Sequence, residues 1–527
     1  MTKDEFLKSQ LMKKSRRGVL RLIFGRTAIM MVLFLLQLLL LFKLMHYFGN
    51  SMFMMFGGQQ LFAVLIIIAI VNRKDNPSIQ LTWAIVTLVV PVVGGLLYIY
   101  IATRPEQRQL EKRLDDLYAE TRKYVNQNQE VLANLKNKDI GTYHMANYIR
   151  NNGNFAVYQN TNIKYLPSGE DKLAELLIQL QKAEKFIFLE YFIVAKGVMW
   201  EQILHVLEQK VSEGVEVRMM YDGTCALNLL PYHYPEMLET IGIRCKMFAP
   251  IKPVLSTHYN NRDHRKIAVI DGKVAFTGGV NIGDEYINID SPYGHWKDTA
   301  IMVEGAAVEG FTQMFLQMWN VDEKNQDTYE KYLTASENNQ NTTDAKGFVL
   351  PYGDSPFDGE LVGETVYLDM LNRAEEYVHI MTPYLILDHE MVTALSYAAK
   401  RGVEVVLMLP HIPDKVYAFA LAKSHYKELI LAGVKIYEYT PGFVHAKMFI
   451  CDDKKAVVGT INLDYRSLYL HFECGAFLYE VPEIKEIEAD FQETLKKCQL
   501  ITLEDYKKTK LWMKGMGKAL KLLAPLM

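Results

Sequence analysis

The pattern in this chain most suited to catalysis is His-x-Lys-x4-Asp, which occurs twice and is followed each time by a glycine-containing turn and an asparagine. A lone histidine or lysine beside a strand is most often structural, whereas a repeat of the whole run at identical spacing indicates a catalytic site. The residues of the first copy and then of the second are His264, Lys266, Asp271, Gly279 and Asn281, and His445, Lys447, Asp452, Thr460 and Asn462.

These residue types fit the transfer of a phosphodiester. Two lysines and the amides of Asn281 and Asn462 would surround its non-bridging oxygens with positive charge and donors, supported by Gly279 and Thr460. A neutral imidazole, with an ordinary pKa of about 6.5, can attack phosphorus, and a second, protonated imidazole can give its proton to the departing alkoxide. Because each copy supplies one histidine, we expect both copies to form a single site that needs no metal and no other cofactor.

Each histidine also needs a carboxylate to fix its tautomer. Candidates for this role are Asp298 and Glu473, each of which follows the asparagine of its motif on the next apolar strand. The alternative for both is an ordinary surface carboxylate after a turn. Asp271 and Asp452 belong to the catalytic signature, but each begins a hairpin-like turn sequence, so we expect these two carboxylates to hold the turns.

The elements that would position these residues are themselves repeated. Alternating helices and buried apolar strands predict an α/β fold of two duplicated halves, each with a largely parallel, helix-covered sheet. An apolar strand pattern follows each motif lysine, so the histidine and lysine would project from one face at the strand's start. The similar segments of the two halves are 183–189 and 374–380, 214–217 and 402–405, and 242–244 and 433–435.

Composition shifts divide the chain further. Residues 104–150 would form a helical connector that lies either along a membrane surface or free in solvent. Residues 321–347 would form a polar linker, because they include few side chains that can be buried. The expected segments are a basic N-terminus with a transmembrane anchor in 1–103, a helical connector in 104–150, the first of the two similar halves in 151–320, a polar linker in 321–347, the second half in 348–500 and a basic amphipathic tail in 501–527.

Three apolar stretches near the N-terminus, at about 27–48, 53–71 and 79–102, predict an α-helical anchor of two to three spans and a multi-pass location in the cell membrane. Pro91 and the glycines after it leave a re-entrant third segment as the alternative. Basic residues both before and after these stretches leave open which side of the membrane the catalytic body faces.

The C-terminal tail separates a basic stripe from an apolar stripe at helical spacing. Such a helix suits an anionic membrane surface, and the alternative is an ordinary surface helix packed on the body. The two stripes are Lys510, Lys514, Lys518 and Lys521, and Trp512, Met516, Leu520 and Leu523.

Overall composition argues against other kinds of site. The formal net charge of -3 lacks the basic excess of a nucleic-acid-binding protein. The five cysteines are scattered without metal-ligand spacing, which predicts neither a disulfide framework nor a structural zinc.

The paired motif runs resemble those of the phospholipase D superfamily and, within it, the bacterial cardiolipin synthases. The resemblance covers nearly the whole chain after residue 55. Thr460 stands where the superfamily usually has serine, and it keeps the hydroxyl. Further segments that carry the resemblance are Asn76-Pro77-Ser78, Leu189-Glu190-Tyr191-Phe192-Ile193, Tyr221-Asp222-Gly223, Gly278-Gly279-Val280-Asn281-Ile282-Gly283 and Thr382-Pro383-Tyr384.

The resemblance implies a ping-pong reaction in which two molecules of phosphatidylglycerol yield cardiolipin and glycerol. His264 would become a phosphatidyl-histidine, and His445 would protonate the leaving glycerol and then deprotonate the acceptor; the residues alone are symmetrical on this point. The implied partners are phosphatidylglycerol, cardiolipin and anionic membrane lipid, with no nucleic acid, and the oligomeric state is open, a homo-oligomer included. Two alternatives are a membrane-bound phospholipase D-type hydrolase and a catalytically inactive lipid-binding scaffold.

Overall fold

The computed structural model describes most of the chain after residue 57. The described ranges are 58–103, 107–125, 127–251, 260–323, 329–337 and 345–526, with isolated positions between 35 and 47. The basic N-terminus, most of the first apolar stretch and parts of the polar linker lie outside them. By their contacts, the described residues form two units: 58–103 with 223–232 and 249–251, and the remainder.

The first unit is helical. Its helices are Gly58–Val71, Pro77–Val89, Pro91–Thr103 and Cys225–Asn228. The first three pack on one another: the rings of Trp83 and Tyr98 lie 5.8 Å apart, and Arg73 donates a hydrogen bond to the carbonyl of Ala102 at 3.2 Å.

No helix among the described residues is long and apolar enough to cross a membrane, so the prediction of a multi-pass membrane protein is wrong. The apolar stretch 79–102 is interrupted at Pro91, because proline lacks the backbone N–H that a continuous helix needs. Each of the two resulting helices has 13 residues. That corresponds to about 20 Å, whereas a bilayer core is about 30 Å thick.

The second unit contains two β-sheets and two short strand pairs. Strands of the first half are β1 (Thr161–Leu166), β2 (Phe186–Tyr191), β3 (Glu216–Asp222), β4 (Arg244–Phe248), β5 (Lys266–Ile270), β6 (Val274–Gly278), β7 (His295–Lys297) and β8 (Ala300–Gly305). Those of the second half are β9 (Phe348–Asp354), β10 (Tyr377–Met381), β11 (Leu385–Ile386), β12 (Glu404–Pro410), β13 (Lys435–Tyr439), β14 (Gly442–Val444), β15 (Met448–Cys451), β16 (Lys455–Gly459), β17 (Leu463–Asp464), β18 (Glu473–Tyr479) and β19 (Cys498–Leu500).

The two sheets have the same topology. The first has the order β1-β8-β6-β5-β2-β3-β4, and the second has the order β9-β18-β16-β15-β10-β12-β13-β19. Strand by strand, the first seven positions correspond in chain order and in direction, and β19 adds an edge. The expected α/β fold of two duplicated halves is therefore confirmed.

The expectation of a largely parallel sheet is wrong. Only β2, β3 and β4, and equivalently β10, β12 and β13, run parallel to one another, whereas the other neighbours are antiparallel. One antiparallel pair in each sheet is a hairpin, β5–β6 or β15–β16, whose turn reverses the chain. Asp271 and Asp452 begin these turns, both with φ at 55°, in the left-handed region that tight turns use.

Helices surround and join the two sheets. They are Gln107–Thr121, Gln129–Lys138, Ile140–Tyr148, Gly169–Gln181, Val198–Ser212, Tyr234–Glu239, Val308–Trp319, Glu330–Glu337, Val362–Arg373, His389–Lys400, Val416–Ala432, Tyr465–Tyr469, Ile484–Leu495, Leu503–Lys508 and Leu511–Lys521. Every residue of Val308–Trp319 is buried, because this helix packs on β5 of one sheet and β9 of the other. The halves therefore share one hydrophobic core.

The C-terminal helix Leu511–Lys521 packs on Val416–Ala432. Contact between them is close at Gly517, where an added Cβ would lie 2.2 Å from the carbonyl oxygen of Ala420. The side chain of Trp512 is 54% exposed and is therefore not buried by this packing. A membrane role for its exposed side chain stays a prediction.

Candidate active site

The two motif histidines lie just before β5 and β15, where each half pairs with the other. β14 pairs in parallel with β7, with Val444 opposite Lys297, and a parallel bridge joins Asp263 to Phe472. The backbone N–H of His445 donates to the carbonyl of Lys297 at 2.7 Å, and that of His264 donates to the carbonyl of Phe472 at 2.9 Å. Because the carboxylates follow directly in sequence, this register brings each histidine beside a carboxylate of the opposite half.

The side chains also pair across the two halves, so that each histidine contacts a carboxylate of the opposite half. Nδ1 of His445 lies 2.7 Å from Oδ2 of Asp298, and Nδ1 of His264 lies 2.8 Å from Oε1 of Glu473. Both carboxylates are fully buried. With Nδ1 engaged, Nε2 is the ring nitrogen of each histidine left for chemistry. The sequence pointed to these two carboxylates but contained no sign that they would be exchanged between halves.

Gly279 and Thr460 occupy equivalent positions of the two motifs and lie beside the two carboxylates, but they act on them in different ways. The hydroxyl of Thr460 donates to the carboxylate of Glu473 and accepts from the backbone N–H of Cys474 at 3.0 Å. At Gly279 an added Cβ would lie 2.0 Å from Oδ1 of Asp298 and 2.9 Å from the carbonyl oxygen of His445. Only glycine permits this approach of one half to the other.

The two asparagines differ in their partners. Oδ1 of Asn281 accepts from the backbone N–H of Ile193 at 3.0 Å, and its Nδ2 donates to the hydroxyl of Tyr286 at 2.8 Å. Oδ1 of Asn462 is buried without a hydrogen-bond partner in the described part of the chain. Both line the same cavity as the histidines, so either amide can reach a ligand there.

The motif lysines are buried beside the histidines. Nζ of Lys266 donates to the carbonyl of His264 at 2.6 Å, and Nζ of Lys447 donates to the carbonyl of His445. Burial lowers the pKa of Lys266 to about 8 and that of Lys447 to about 7. Four basic groups thus share a site where solvation is poor, which favours an anionic ligand.

Asp271 and Asp452 are not brought to the histidines. They lie at the other ends of β5 and β15, where each carboxylate accepts three backbone N–H groups at 2.7 to 2.8 Å. The donors come from the residues that enter β2 and β10. These aspartates therefore fix the motif strand against its neighbour, in line with the expected turn role. The donors are Glu184, Lys185 and Phe186, and Glu375, Glu376 and Tyr377.

Burial and mutual repulsion dominate the electrostatics of the histidines. Burial, followed by the charge of Lys266, lowers the pKa of His264 well below its usual value, and burial, followed by the charge of Lys447, lowers the pKa of His445 to about 4. Burial acts to raise the pKa of Asp298, but the charges of His445 and Lys447 hold it below its usual range. Burial raises the pKa of Glu473. The carboxylate beside His445 is therefore the one better suited to stabilise an imidazolium.

Both histidines open into one cavity of about 750 Å³. This volume lies within the range of ordinary small-molecule sites, which is roughly 300–1,000 Å³. Its wall combines the motif histidines and asparagines with aromatic side chains and with residues near the C-terminus. Besides these four motif residues, the lining includes Phe192, Tyr286, Tyr293, Trp296, Tyr384, Tyr465, Ala524 and Leu526.

Three residues near the site were not predicted from the sequence. Lys172 is fully buried, its Nζ donates to the carbonyl of Val280 at 2.7 Å, and burial lowers its pKa to about 7. It shares a helical stripe with Leu176 and Leu180, so a lysine in an apolar stripe was the available signal. His471 and Arg466 also line the cavity, and no motif marks them.

Comparison with known proteins agrees with these features. A family model described as "Cardiolipin synthase, PLD-like domain" matches residues 176–319 and 367–495. A cardiolipin synthase of Halalkalibacterium halodurans is 33% identical over 478 residues, which cover 88% of this chain and 94% of the relative. One of Alkalihalophilus pseudofirmus is 33% identical over 473 residues, covering 89% and 92%. An uncharacterised protein of Streptococcus mutans is 51% identical over 461 residues, covering 88% and 99%.

Among solved structures, the phosphatidylserine synthase of Haemophilus influenzae is similar with a TM-score of 0.53 and 14% sequence identity. The match covers 73% of this chain and all of that one. At this identity the likeness concerns the fold, and it agrees with the two-half arrangement of the sheets.

Proposed function

This chain belongs to the cardiolipin synthase family of phospholipase D-like phosphatidyltransferases, and we propose that it transfers a phosphatidyl group from one phosphatidylglycerol to another. The products are cardiolipin and glycerol. The observation that carries the proposal is the pair of motif histidines at one cavity, each with its Nδ1 on a buried carboxylate of the opposite half.

In the first half-reaction, Nε2 of His264 attacks the phosphorus of the donor lipid. The bond from phosphorus to the glycerol oxygen breaks, and His445 gives that oxygen its proton, which leaves a phosphatidyl-histidine. His264 suits the attack because its low pKa keeps the imidazole neutral at pH 7. The choice of His264 as nucleophile follows the family.

In the second half-reaction, His445 takes the proton from a hydroxyl of the acceptor phosphatidylglycerol. That oxygen attacks phosphorus, and the bond to His264 breaks. The reversal of roles requires His445 to pass between its two protonation states. Asp298, whose pKa lies below its usual range, stays charged and stabilises the protonated state.

The lysines and asparagines support the phosphodiester through both steps. A phosphodiester anion between Lys266 and Lys447 raises the pKa values of the basic groups around it, because it replaces repulsion with attraction. The same anion therefore favours a protonated His445 in the complex. Donors already oriented in a buried site lower the barrier because they need no reorganisation during the reaction.

Purified protein incubated with phosphatidylglycerol tests the proposal. We expect cardiolipin and glycerol in equal amounts. Phosphatidic acid would identify a hydrolase instead, because water would have replaced the lipid acceptor. A properly folded protein that forms neither product would be a lipid-binding scaffold. Either of these two results contradicts the proposed transfer.

Variants of the two histidines test the mechanism. We expect His264→Ala and His445→Ala each to abolish transfer, and His264→Ala alone to remove the trappable phosphatidyl-enzyme. His379→Ala is the matched control, since His379 pairs with Glu488 at 2.9 Å and does not line the cavity. Substantial transfer by either motif variant would refute a site that needs both halves.

A further inference from the structure

His471 is a third histidine at the cavity for which the proposed mechanism has no task. Its ring centroid lies 5.5 Å from that of His264, and it is only 8% exposed. Neither ring nitrogen has a hydrogen-bond partner in the described part of the chain, and Oε1 of Glu473 is 3.7 Å from its Nδ1, too far for a hydrogen bond. A buried polar group without a partner is costly, so a ligand that satisfies this ring would bind favourably.

Arg466 lies next to His471 on the cavity wall. The backbone N–H of His471 donates to the carbonyl of Arg466 at 2.8 Å. Burial, followed by the charge of Arg466, lowers the pKa of the His471 ring well below its usual value. Among the described residues, the guanidinium makes neither a hydrogen bond nor an ion pair. The carboxylate of Asp464, which also lines the cavity, accepts the backbone N–H of Ser467 at 2.9 Å and is close enough for the charge of Arg466 to act on it.

Positively charged side chains around Arg466 and His471 favour an anionic ligand over a metal ion. Ligand atoms of His264, His471 and Glu473 lie within 4.8 Å of one another, an arrangement that can hold a metal ion. However, Arg466, Lys266, Arg262 and Lys415 all place positive charge near His471. These cations repel a metal and attract an anion with acceptor oxygens.

We propose that Arg466 and His471 bind the phosphodiester of the acceptor lipid, the one that does not react. The inference rests on the proposed transfer. Cardiolipin contains two phosphates joined by a single glycerol, so the acceptor must place its own phosphate close to the phosphorus held at His264. The contact between the rings of His264 and His471 puts the two anion sites side by side, as that short bridge requires.

This site also explains how the enzyme selects a lipid over water or a free alcohol. Binding the second phosphate holds the acceptor hydroxyl in place, which converts an encounter into an oriented reaction. Water and glycerol carry no phosphate and gain nothing from Arg466. The cavity wall also contains the carboxylates of Glu285 and Asp414, and Asp414 lies 3.8 Å from Nζ of Lys415.

The test compares two soluble acceptors that differ only in a phosphate. Phosphatidylglycerol serves as donor, and labelled glycerol or labelled glycerol 3-phosphate serves as acceptor for the full-length protein. Wild type should prefer glycerol 3-phosphate through a lower KM. Arg466→Gln should reduce that preference roughly tenfold or more, the effect of losing one charge-assisted hydrogen bond. Cardiolipin formation should fall with it.

Further variants keep the test decisive. Arg466→Lys should restore part of the preference, and His471→Leu should lower it in the same direction as Arg466→Gln. Lys427→Gln, at an exposed position that does not line the cavity, is the matched control. Equal use of both acceptors by wild type, or an unaltered preference in Arg466→Gln, overturns the inference while cardiolipin is still made.

Two other outcomes separate the sources of the anion. If inorganic phosphate inhibited cardiolipin formation through Arg466 but left the KM for glycerol 3-phosphate unchanged, the site would bind free phosphate and not the acceptor, and the inference would be wrong. If wild type made no cardiolipin at all, the proposed transfer and the inference would both fail.

Discussion

Replacing Asp298 by asparagine is the most informative change to the site. The substitution keeps the size of the side chain but removes the negative charge beside His445. We expect the pKa of His445 to fall further below its value of about 4, because the aspartate is the principal group that raises it. His445 would then hold a proton less readily when glycerol leaves.

The size of the effect follows from one bond. Nδ1 of His445 and Oδ2 of Asp298 are 2.7 Å apart, and both residues are buried. A hydrogen bond to a charged group contributes about 1.5–3 kcal/mol. Since about 1.4 kcal/mol changes a rate tenfold, kcat with phosphatidylglycerol should fall between roughly 10-fold and 150-fold.

A donor with a better leaving group isolates this step. When p-nitrophenol replaces glycerol on the donor, the leaving oxygen needs no proton, and its release can be followed as a burst of colour. Asp298→Asn should show a burst close to wild type with this donor, despite its slow turnover of phosphatidylglycerol. Glu473→Gln should lose rate with both donors, because its partner His264 is the proposed nucleophile.

The reasoning fails if Asp298→Asn loses its burst as severely as it loses turnover, or if Glu473→Gln keeps its burst. Glu488→Gln is the control, because Glu488 forms the same kind of contact with His379 at 2.9 Å outside the cavity. Its activity should match wild type. Thermal unfolding of all three variants separates a lost contact from a lost fold.

Two further predictions concern the residues that support the histidines. Burial acts to raise the pKa of Asp452, but three backbone donors hold it below its usual range, so its stabilising effect is present above the unfolded value of about 3.9 and is lost as the pH falls through the folded value. Asp452→Asn should therefore show a flatter loss of unfolding free energy between about pH 5 and pH 2 in urea titrations, and a slope equal to wild type would contradict this. Gly279→Ala should lower kcat by about tenfold or more, because its Cβ would displace Asp298. Gly515→Ala is the control and should retain activity, because a Cβ added there meets nothing within 4 Å. Equal rates in the two variants would rule out the steric argument.

The local features of the site could be predicted from the sequence, because each depends on neighbours in the chain. Identical spacing in both motifs marked the histidines and lysines, and the turn residues after β5 and β15 marked Asp271 and Asp452. The same turns also implied antiparallel hairpins. The expectation of a largely parallel sheet gave more weight to the alternation of helices and strands than to those turns.

Features that depend on how distant segments meet could not be predicted in this way. The partner of His264 is 209 positions away, in the other half, and the pairing of Asp263 with Phe472 brings it there. Arg466 and His471 lack any sequence pattern because their relevance arises from the cavity wall. In the N-terminal unit, hydropathy summed across Pro91 concealed the break that proline makes in the helix.

The reciprocal exchange of carboxylates restricts how this duplicated protein can evolve. After a duplication, one copy is usually free to drift while the other preserves the activity. Here Asp298, from the first half, contacts His445 of the second, and Glu473, from the second half, contacts His264 of the first. A damaging mutation in either half therefore affects the histidine of the other half as well. Neither half can become a spare, and compensating changes should appear as pairs across the halves rather than within one of them.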